Sequence, residues 1–186
     1  MGPMRMIFMG GIKHCGKTTL GGIAAAELDY DFFDLDELIV KESKGAWISA
    51  RELMRNLGGE GFRNLETMAA AFFIERIVPT LSRGGVVLSL GGGVIENAEA
   101  IARLGNEGTR VYLLAARELL YRRIKLSGQP AFLSAENPYE DFLKLYARRD
   151  ILYREFADLI LEVDESPVRF NAGRLLSALE EHYGGK

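Results

Sequence analysis

Short apolar runs alternate with longer amphipathic stretches along most of the chain. The runs are rich in β-branched and aromatic residues and end at glycine, aspartate or polar residues, which is typical of buried strands. They predict strands over residues 4–9, 30–33, 85–90, 109–114 and 159–163.

The segments between these runs carry a helical spacing of apolar residues. Ser49 is a plausible helix N-cap, since Glu52 follows three positions later. Strands that alternate with helices predict an α/β fold of three layers, with a parallel sheet covered on both faces. The predicted helices span residues 17–28, 35–43, 49–57, 62–81, 117–126, 138–155 and 168–182.

Two insertions interrupt this alternation, at residues 40–63 and 127–138. Loops beyond the carboxyl ends of parallel strands are where such sheets bind ligands. We therefore expect one domain over residues 1–186, with an acceptor-binding region at about residues 35–63 and a lid at about residues 125–138.

Composition, net charge and cysteine count indicate which classes of protein the chain does not resemble. The 186 residues are 48% hydrophobic and 26% charged with a net charge of −3, which indicates no general affinity for nucleic acid or anionic membranes. No apolar run approaches the ~18 residues of a membrane span. The single cysteine, Cys15, excludes an internal disulfide and fits a reducing compartment. These features predict a cytoplasmic monomer that binds neither nucleic acid nor membrane.

The stretch GGIKHCGKTT, residues 10–19, carries the most specific motif. Gly11-x-x-x-x-Gly16-Lys17-Thr18 lies between a predicted strand and a predicted helix, which is the arrangement of a phosphate-binding loop. The N–H groups of the loop and of the helix N-terminus would hold the phosphates of a nucleoside triphosphate. Thr19 would also contact this nucleotide. Lys17 would neutralise the β- and γ-phosphates, and the Thr18 hydroxyl would ligate Mg²⁺.

Two other residues of this loop receive a plainer interpretation. We expect His14 to face solvent and Cys15 to be a small loop residue, although its place near a helix N-terminus leaves a reactive thiol open.

A pair of carboxylates follows the second predicted strand, in FFDLDEL. Asp34 and Asp36 point the same way if the strand persists that far. One would hold Mg²⁺ through water while the other accepts the proton of an acceptor hydroxyl. The alternative is a helix N-cap followed by a solvated neighbour.

The ordered set GIKHCGKT, FFDLDEL, GGEGFRNLE, LSLGGGV and RRDILYREFADLIL resembles the shikimate kinase family along nearly the whole chain. The resemblance implies a P-loop kinase fold of the nucleoside-monophosphate-kinase type, with strand order 2-3-1-4-5. It implies transfer of the γ-phosphoryl of ATP to the 3-hydroxyl of shikimate, with Mg²⁺, in aromatic amino-acid biosynthesis.

The same resemblance implies roles for individual residues. Asp34 would assist Mg²⁺, and Asp36 would hold the acceptor hydroxyls and act as the base. Arg63 would bind the shikimate carboxylate, with Glu66 orienting it, and Arg149 would be a second carboxylate clamp. The backbone N–H groups of Gly91, Gly92 and Gly93 would contact shikimate and the γ-phosphate. Arg123 and Pro167 would pack against the adenine.

The lid departs from the family pattern. The family usually reads Arg-Pro-Leu-Leu there, and this chain reads GQPAFL, with Gln129 in the place of an arginine that reaches the transferring phosphate. Glutamine can hydrogen-bond a phosphate but cannot neutralise it, and Lys125 is a candidate substitute. Two alternatives stay open: a related small-molecule kinase with another acceptor, such as gluconate or a nucleoside monophosphate, or a nucleotide-binding regulator with weak turnover.

Overall fold

A computed structural model describes residues 4–43, 49–127, 133 and 136–184. Its centre is a sheet of five parallel strands in the order β2-β3-β1-β4-β5, as predicted. The strands are β1 (Arg5–Gly10), β2 (Asp31–Asp34), β3 (Gly85–Ser89), β4 (Thr109–Ala115) and β5 (Leu159–Val163).

The helices connect these strands and cover the sheet. They are α1 (Lys17–Leu28), α2 (Leu35–Glu42), α3 (Ala50–Phe72), α4 (Ala98–Leu104), α5 (Arg117–Leu126), α6 (Pro138–Phe156) and α7 (Val168–Gly184). Helices α1 and α7 pack together against the sheet, α6 packs on β4, and α3 packs on α2 and α4. Within the described part of the chain, no helix is long and apolar enough to cross a membrane.

The apolar runs form the core because parallel strands covered on both sides bury both faces. All five residues of β3 are buried, and the inner strands β1 and β4 are buried over most of their length. The fully enclosed side chains of this layer include Ile7, Phe8, Met9, Val87, Leu88, Val111 and Leu113.

The sequence and the structure differ in two helical regions. Helix α4 was not predicted, although Asn97 caps it by accepting a hydrogen bond from the Ala100 N–H. Helix α3 joins two predicted helices across a kink at Gly58, whose φ of 70° and ψ of −179° are not helical. The second part of α3 ends at Phe72 and continues as a π turn, Phe73–Ile77, and a 3₁₀ turn, Val78–Thr80.

The register of the sheet aligns the carboxyl ends of β1, β2 and β3, where the candidate site lies. Ser89 at the end of β3 pairs with Met9 of β1 and with Asp34 of β2. Parallel strands bring their carboxyl ends to one edge, so the loops after β1, β2 and β3 leave the sheet side by side.

Candidate active site

The loop after β1 wraps tightly because two of its residues are glycines with positive φ. Gly11 has φ 146° and Gly16 has φ 105°. A Cβ added at Gly11 would lie 2.6 Å from Cys15 Sγ and 2.9 Å from the Leu113 carbonyl oxygen. The loop therefore needs glycine at this position for both space and conformation.

Lys17 opens helix α1 and folds over the loop. Its side chain is only 9% exposed, and Nζ donates to the Gly11 carbonyl oxygen at 2.8 Å and lies 3.9 Å from Cys15 Sγ. A buried ammonium at a helix N-terminus makes this loop an anion-binding surface. Cys15 is 2% exposed, which favours its interpretation as a packed loop residue.

Thr18 joins this loop to the end of β2. Its hydroxyl donates to Asp34 Oδ2 at 2.8 Å and lies 3.5 Å from the Ser89 hydroxyl. A hydroxyl beside a carboxylate is an oxygen donor set that suits Mg²⁺, which usually takes only one or two protein ligands besides substrate phosphates. The described residues hold no cluster of three or more His, Cys, Asp or Glu side chains suited to a metal.

Of the two interpretations of this carboxylate pair, the helix N-cap is the one observed at Asp34. The strand ends at Asp34, which caps α2 by accepting a hydrogen bond from the Asp36 N–H at 3.0 Å. The chain turns into a helix here because the Asp34 carboxylate satisfies an otherwise unpaired helix N–H group. Both carboxylates nevertheless line one cavity of about 540 Å³ with Lys17 and Thr18.

Asp36 lines this cavity and is the more perturbed of the two carboxylates. Burial, and next the charge of Asp34, raise the pKa of the Asp36 carboxyl above its usual value, while Lys17 and Lys13 act in the opposite direction. A carboxylate with a raised pKa is a stronger base, which suits proton abstraction from a hydroxyl.

The far end of the cavity is formed by the carboxyl end of β5 and the start of α7. Val163, Asp164, Ser166, Val168 and Asn171 line it together with Arg123 and the phosphate loop, Thr19 included. Pro167 is exposed between two of these lining residues.

His14 does not simply face solvent. It is half-buried, its Nε2 lies 2.8 Å from the Ser127 hydroxyl, and its carbonyl oxygen accepts a hydrogen bond from Arg123 Nη1 at 2.9 Å. Helix α5 is thereby tied to the phosphate loop.

The three glycines after β3 lie where a side chain would meet three other parts of the site. A Cβ at Gly91 would lie 2.6 Å from Asp36 Oδ1, one at Gly92 would lie 3.0 Å from the Lys13 nitrogen, and one at Gly93 would lie 3.1 Å from Arg149 Nη2. This segment therefore touches the base, the phosphate loop and a predicted clamp arginine in three successive residues.

Arg149 lies on α6 and is held by a residue that sequence reasoning missed. Its Nε and Nη2 donate to Glu96 Oε2 at 2.9 and 2.7 Å, and its Nη1 donates to the Gly92 carbonyl oxygen at 3.0 Å. Arg148 Nε donates to the other oxygen of Glu96. One helical turn later, the enclosed hydroxyl of Tyr153 donates to the carbonyl oxygens of Gly91 and Gly92 at 3.5 and 3.4 Å.

Arg63 and Glu66 lie one turn apart on α3, with the Arg63 side chain exposed and Glu66 buried. The hydrogen bond to Glu66 comes from Asn97, whose Nδ2 donates to Glu66 Oε2 at 3.0 Å and to the Arg63 carbonyl oxygen at 2.8 Å. Burial and the charge of Asp36 raise the pKa of Glu66, whereas Asn97, Arg63 and Arg149 act to lower it. Asn97 was also missed, and it fixes this part of α3 to the segment after the glycines.

Gln129 and much of the predicted lid lie outside the described residues. Lys125 is exposed, and its Nζ lies 5.9 Å from the centroid of the Tyr121 ring.

Comparison of the sequence with known proteins gives one consistent result. A sequence model described as shikimate kinase matches residues 13–180. The chain is 34% identical over 180 residues to a shikimate kinase of Marinomonas sp. (strain MWYL1), covering 95% of this chain and 92% of the relative. It is also 34% identical to a shikimate kinase of Nitrosococcus oceani, covering 96% of this chain and 89% of the relative.

Solved structures agree with the sequence comparison. A shikimate kinase from Acinetobacter baumannii in complex with shikimate superposes with a TM-score of 0.82 at 28% identity, over 98% of this chain and 95% of the other. A gluconokinase from Sinorhizobium meliloti gives a TM-score of 0.55 at 14% identity, over 97% of this chain and 94% of the other. The second likeness shows the fold alone.

Proposed function

The chain belongs to the shikimate kinase family, and from this premise we propose that it transfers the γ-phosphoryl group of ATP to the 3-hydroxyl of shikimate. Members of this family use ATP as the phosphate donor. One observation carries the proposal for this chain. The triple glycine touches the Asp36 carboxylate, the phosphate loop and Arg149 in successive residues, so a base, a phosphate site and a cationic clamp meet at one place.

At the donor side, the backbone of the phosphate loop and the Lys17 ammonium bind the phosphates of ATP, and Gly11, Gly16 and Thr19 belong to that surface. Arg123 and Pro167 pack near the adenine. The desolvated ammonium of Lys17 is held beside the loop, where its charge counters that of the β- and γ-phosphates.

Thr18 and Asp34 are the residues that would hold Mg²⁺. Their oxygens are 2.8 Å apart and fit the preference of this ion for hard oxygen ligands. When bound, the ion neutralises charge on the β- and γ-phosphate oxygens.

Asp36 holds the acceptor hydroxyl and takes its proton. In this step the acceptor oxygen forms a bond to the γ-phosphorus, the bond from that phosphorus to the β,γ-bridging oxygen breaks, and ADP leaves. The raised pKa of Asp36 supports this role because a more basic carboxylate accepts the proton more readily.

Arg63 and Arg149 bind the acceptor carboxylate, and the N–H groups of Gly91, Gly92 and Gly93 contact shikimate and the γ-phosphate. Planar guanidinium groups suit this task because they can bind a carboxylate with two parallel hydrogen bonds. The charge effects of both arginines on Glu66 support their convergence on one region.

The remaining proposals concern the domain organisation, the oligomeric state and the cellular location of the protein. We expect the residues 35–63 and 125–138 to act as acceptor-binding region and lid of a single domain. We also expect a monomeric, cytoplasmic enzyme of aromatic amino-acid biosynthesis.

A panel assay tests the function. ADP release is measured with shikimate, gluconate and the common nucleoside monophosphates, with and without Mg²⁺, and the product is identified by mass spectrometry. We expect Mg²⁺-dependent turnover of shikimate. Turnover of another acceptor with none of shikimate would overturn the assignment, and nucleotide binding without any turnover would favour a regulator.

A further inference from the structure

Glu96 is a half-buried carboxylate placed between the triple glycine and helix α6. It ends the short 3₁₀ turn Val94–Glu96, and its side chain is 14% exposed. Its Oε2 accepts two hydrogen bonds from Arg149, whose side chain is 12% exposed, and its Oε1 accepts one from the more exposed Arg148.

This contact fixes the plane of the Arg149 guanidinium. An arginine side chain has several rotatable bonds, and two charge-assisted bonds to one carboxylate oxygen restrict it to one orientation. The third nitrogen, Nη1, is directed to the Gly92 carbonyl oxygen at 3.0 Å. Arg149 is therefore held against the triple glycine from two directions.

Glu96 keeps its charge while doing so. Burial alone would raise its pKa, but the guanidinium groups of Arg149 and Arg148 outweigh that effect and hold the pKa of Glu96 below its usual value. The ionised carboxylate therefore holds Arg149 through charge-assisted hydrogen bonds.

We propose that Glu96 is a positioning residue for acceptor binding, which acts by orienting Arg149 beside Gly92 and Gly93. This inference rests on the proposed function, in which Arg149 binds the carboxylate of shikimate. Glu96 itself does not touch the acceptor. At metal sites, loss of the partner that orients a ligand typically costs about 10–100-fold, and we expect an effect at the low end of that range here.

The test compares Glu96→Ala, Glu96→Gln and Arg148→Ala with the parent protein. For each we would measure kcat, the KM values of shikimate and ATP, and the thermal midpoint.

We expect Glu96→Ala to raise the KM of shikimate about tenfold and to leave the KM of ATP within about twofold. Glu96→Gln should raise the KM of shikimate less, about threefold, because its amide oxygen still accepts a hydrogen bond from Arg149. Arg148→Ala, the matched control on the same carboxylate, should change the KM of shikimate by less than about twofold.

A double mutant separates positioning from general loss of structure. If Glu96 acts through Arg149, then Glu96→Ala should add nothing to the KM of shikimate in an Arg149→Ala background. An additive effect, or equal rises in both KM values, would overturn the inference. So would an unchanged or lowered KM of shikimate in a folded Glu96→Gln variant, which remains decisive if Glu96→Ala fails to fold.

Arg149→Ala alone distinguishes this inference from the proposed function. A raised KM of shikimate in Arg149→Ala with no change in Glu96→Ala and Glu96→Gln would refute the role of Glu96 and leave the acceptor site standing. No change in any of these variants would refute the proposed role of Arg149 as well.

Discussion

The donor end and the acceptor end of the proposed site are built in different ways. The proposed donor end is one continuous stretch, residues 10–19, whose glycines, N–H groups and buried lysine lie within a few residues of sequence. The acceptor end is assembled from side chains on α3 and α6 around the residues 91–93, and is held by Glu96 and Asn97. The donor end depends on backbone conformation, and the acceptor end depends on tertiary ion pairs and hydrogen bonds.

This difference predicts different kinetic consequences of mutation. Changes at the donor end should lower kcat, because charge on the transferring phosphoryl group and its leaving oxygen is redistributed in the transition state. Changes at the acceptor end should act mainly on the KM of shikimate, because a carboxylate remote from the reacting atoms is bound equally in ground and transition states.

The largest effect is expected at Asp36, where the two ends meet. Asp36→Asn should lower kcat by about 10²–10⁴-fold, since the acceptor hydroxyl loses its base. In the parent protein, kcat should fall with decreasing pH along a limb that lies above the ordinary aspartate range, because the pKa of Asp36 is raised. Glu37→Gln, an exposed neighbour on α2, is the matched control.

Thermal unfolding of the same variant gives an independent check. A folded-state pKa above the unfolded value means that the ionised carboxylate disfavours folding at neutral pH. Asp36→Asn should therefore be at least as stable as the parent protein at neutral pH, and any gain should vanish as the pH falls below the unfolded carboxyl pKa. A less stable Asn variant at neutral pH would contradict the raised pKa.

Substitution of Lys17 tests the donor end separately from the acceptor end. Lys17→Ala should lower kcat by about 10²–10³-fold, as is typical for loss of one preorganised donor to a transition-state charge. The KM of shikimate should change little. Lys144→Ala, an exposed lysine on α6, supplies the control. A large rise in the KM of shikimate would mean that the two ends are not separable.

The clamp arginines test the acceptor end. Arg63→Ala and Arg149→Ala should each raise the KM of shikimate tenfold or more, since losing one partner of a desolvated charge pair costs about 2–5 kcal/mol. ATP should be affected less. Arg55→Ala is the control for Arg63, being exposed on the same helix. Equal losses for both substrates would indicate damaged folding instead.

The smallest effect is expected at the lid. Gln129→Arg should raise kcat more than it lowers any KM, because the restored charge acts most strongly in the transition state. Lys125→Ala should cost little, since its ammonium lies over Tyr121. A heavy loss in Lys125→Ala with no gain in Gln129→Arg would show that Lys125 already replaces the family's arginine.

The sequence predicted the sheet and the donor end well because both depend on local patterns. All five strands were found within a few residues of their bounds, since a buried parallel strand is a nearly continuous apolar run. Gly11, Gly16, Lys17 and Thr18 are recognisable because one short segment must supply all of them.

Features that depend on distant contacts were missed. Helix α4 is short, and only its cap and small residues indicate it. Glu96 and Asn97 follow a glycine turn and have no distinctive spacing, and their partners lie 31 to 53 residues away. The sequence left two interpretations of Asp34 and Asp36 open, and the structure shows the N-cap one, since the side chain of Asp34 accepts a hydrogen bond from the Asp36 N–H.

The triple glycine has a consequence for redesign of the enzyme. A methyl group at any of the three positions would meet a different neighbour, namely Asp36, Lys13 or Arg149. Almost every substitution in this segment is therefore expected to disturb a residue of the proposed site. A library that seeks new acceptors should leave these codons fixed. It should randomise positions near Arg63 on α3 and Arg149 on α6, where replaced side chains can alter selectivity while the proposed ATP-binding loop stays intact.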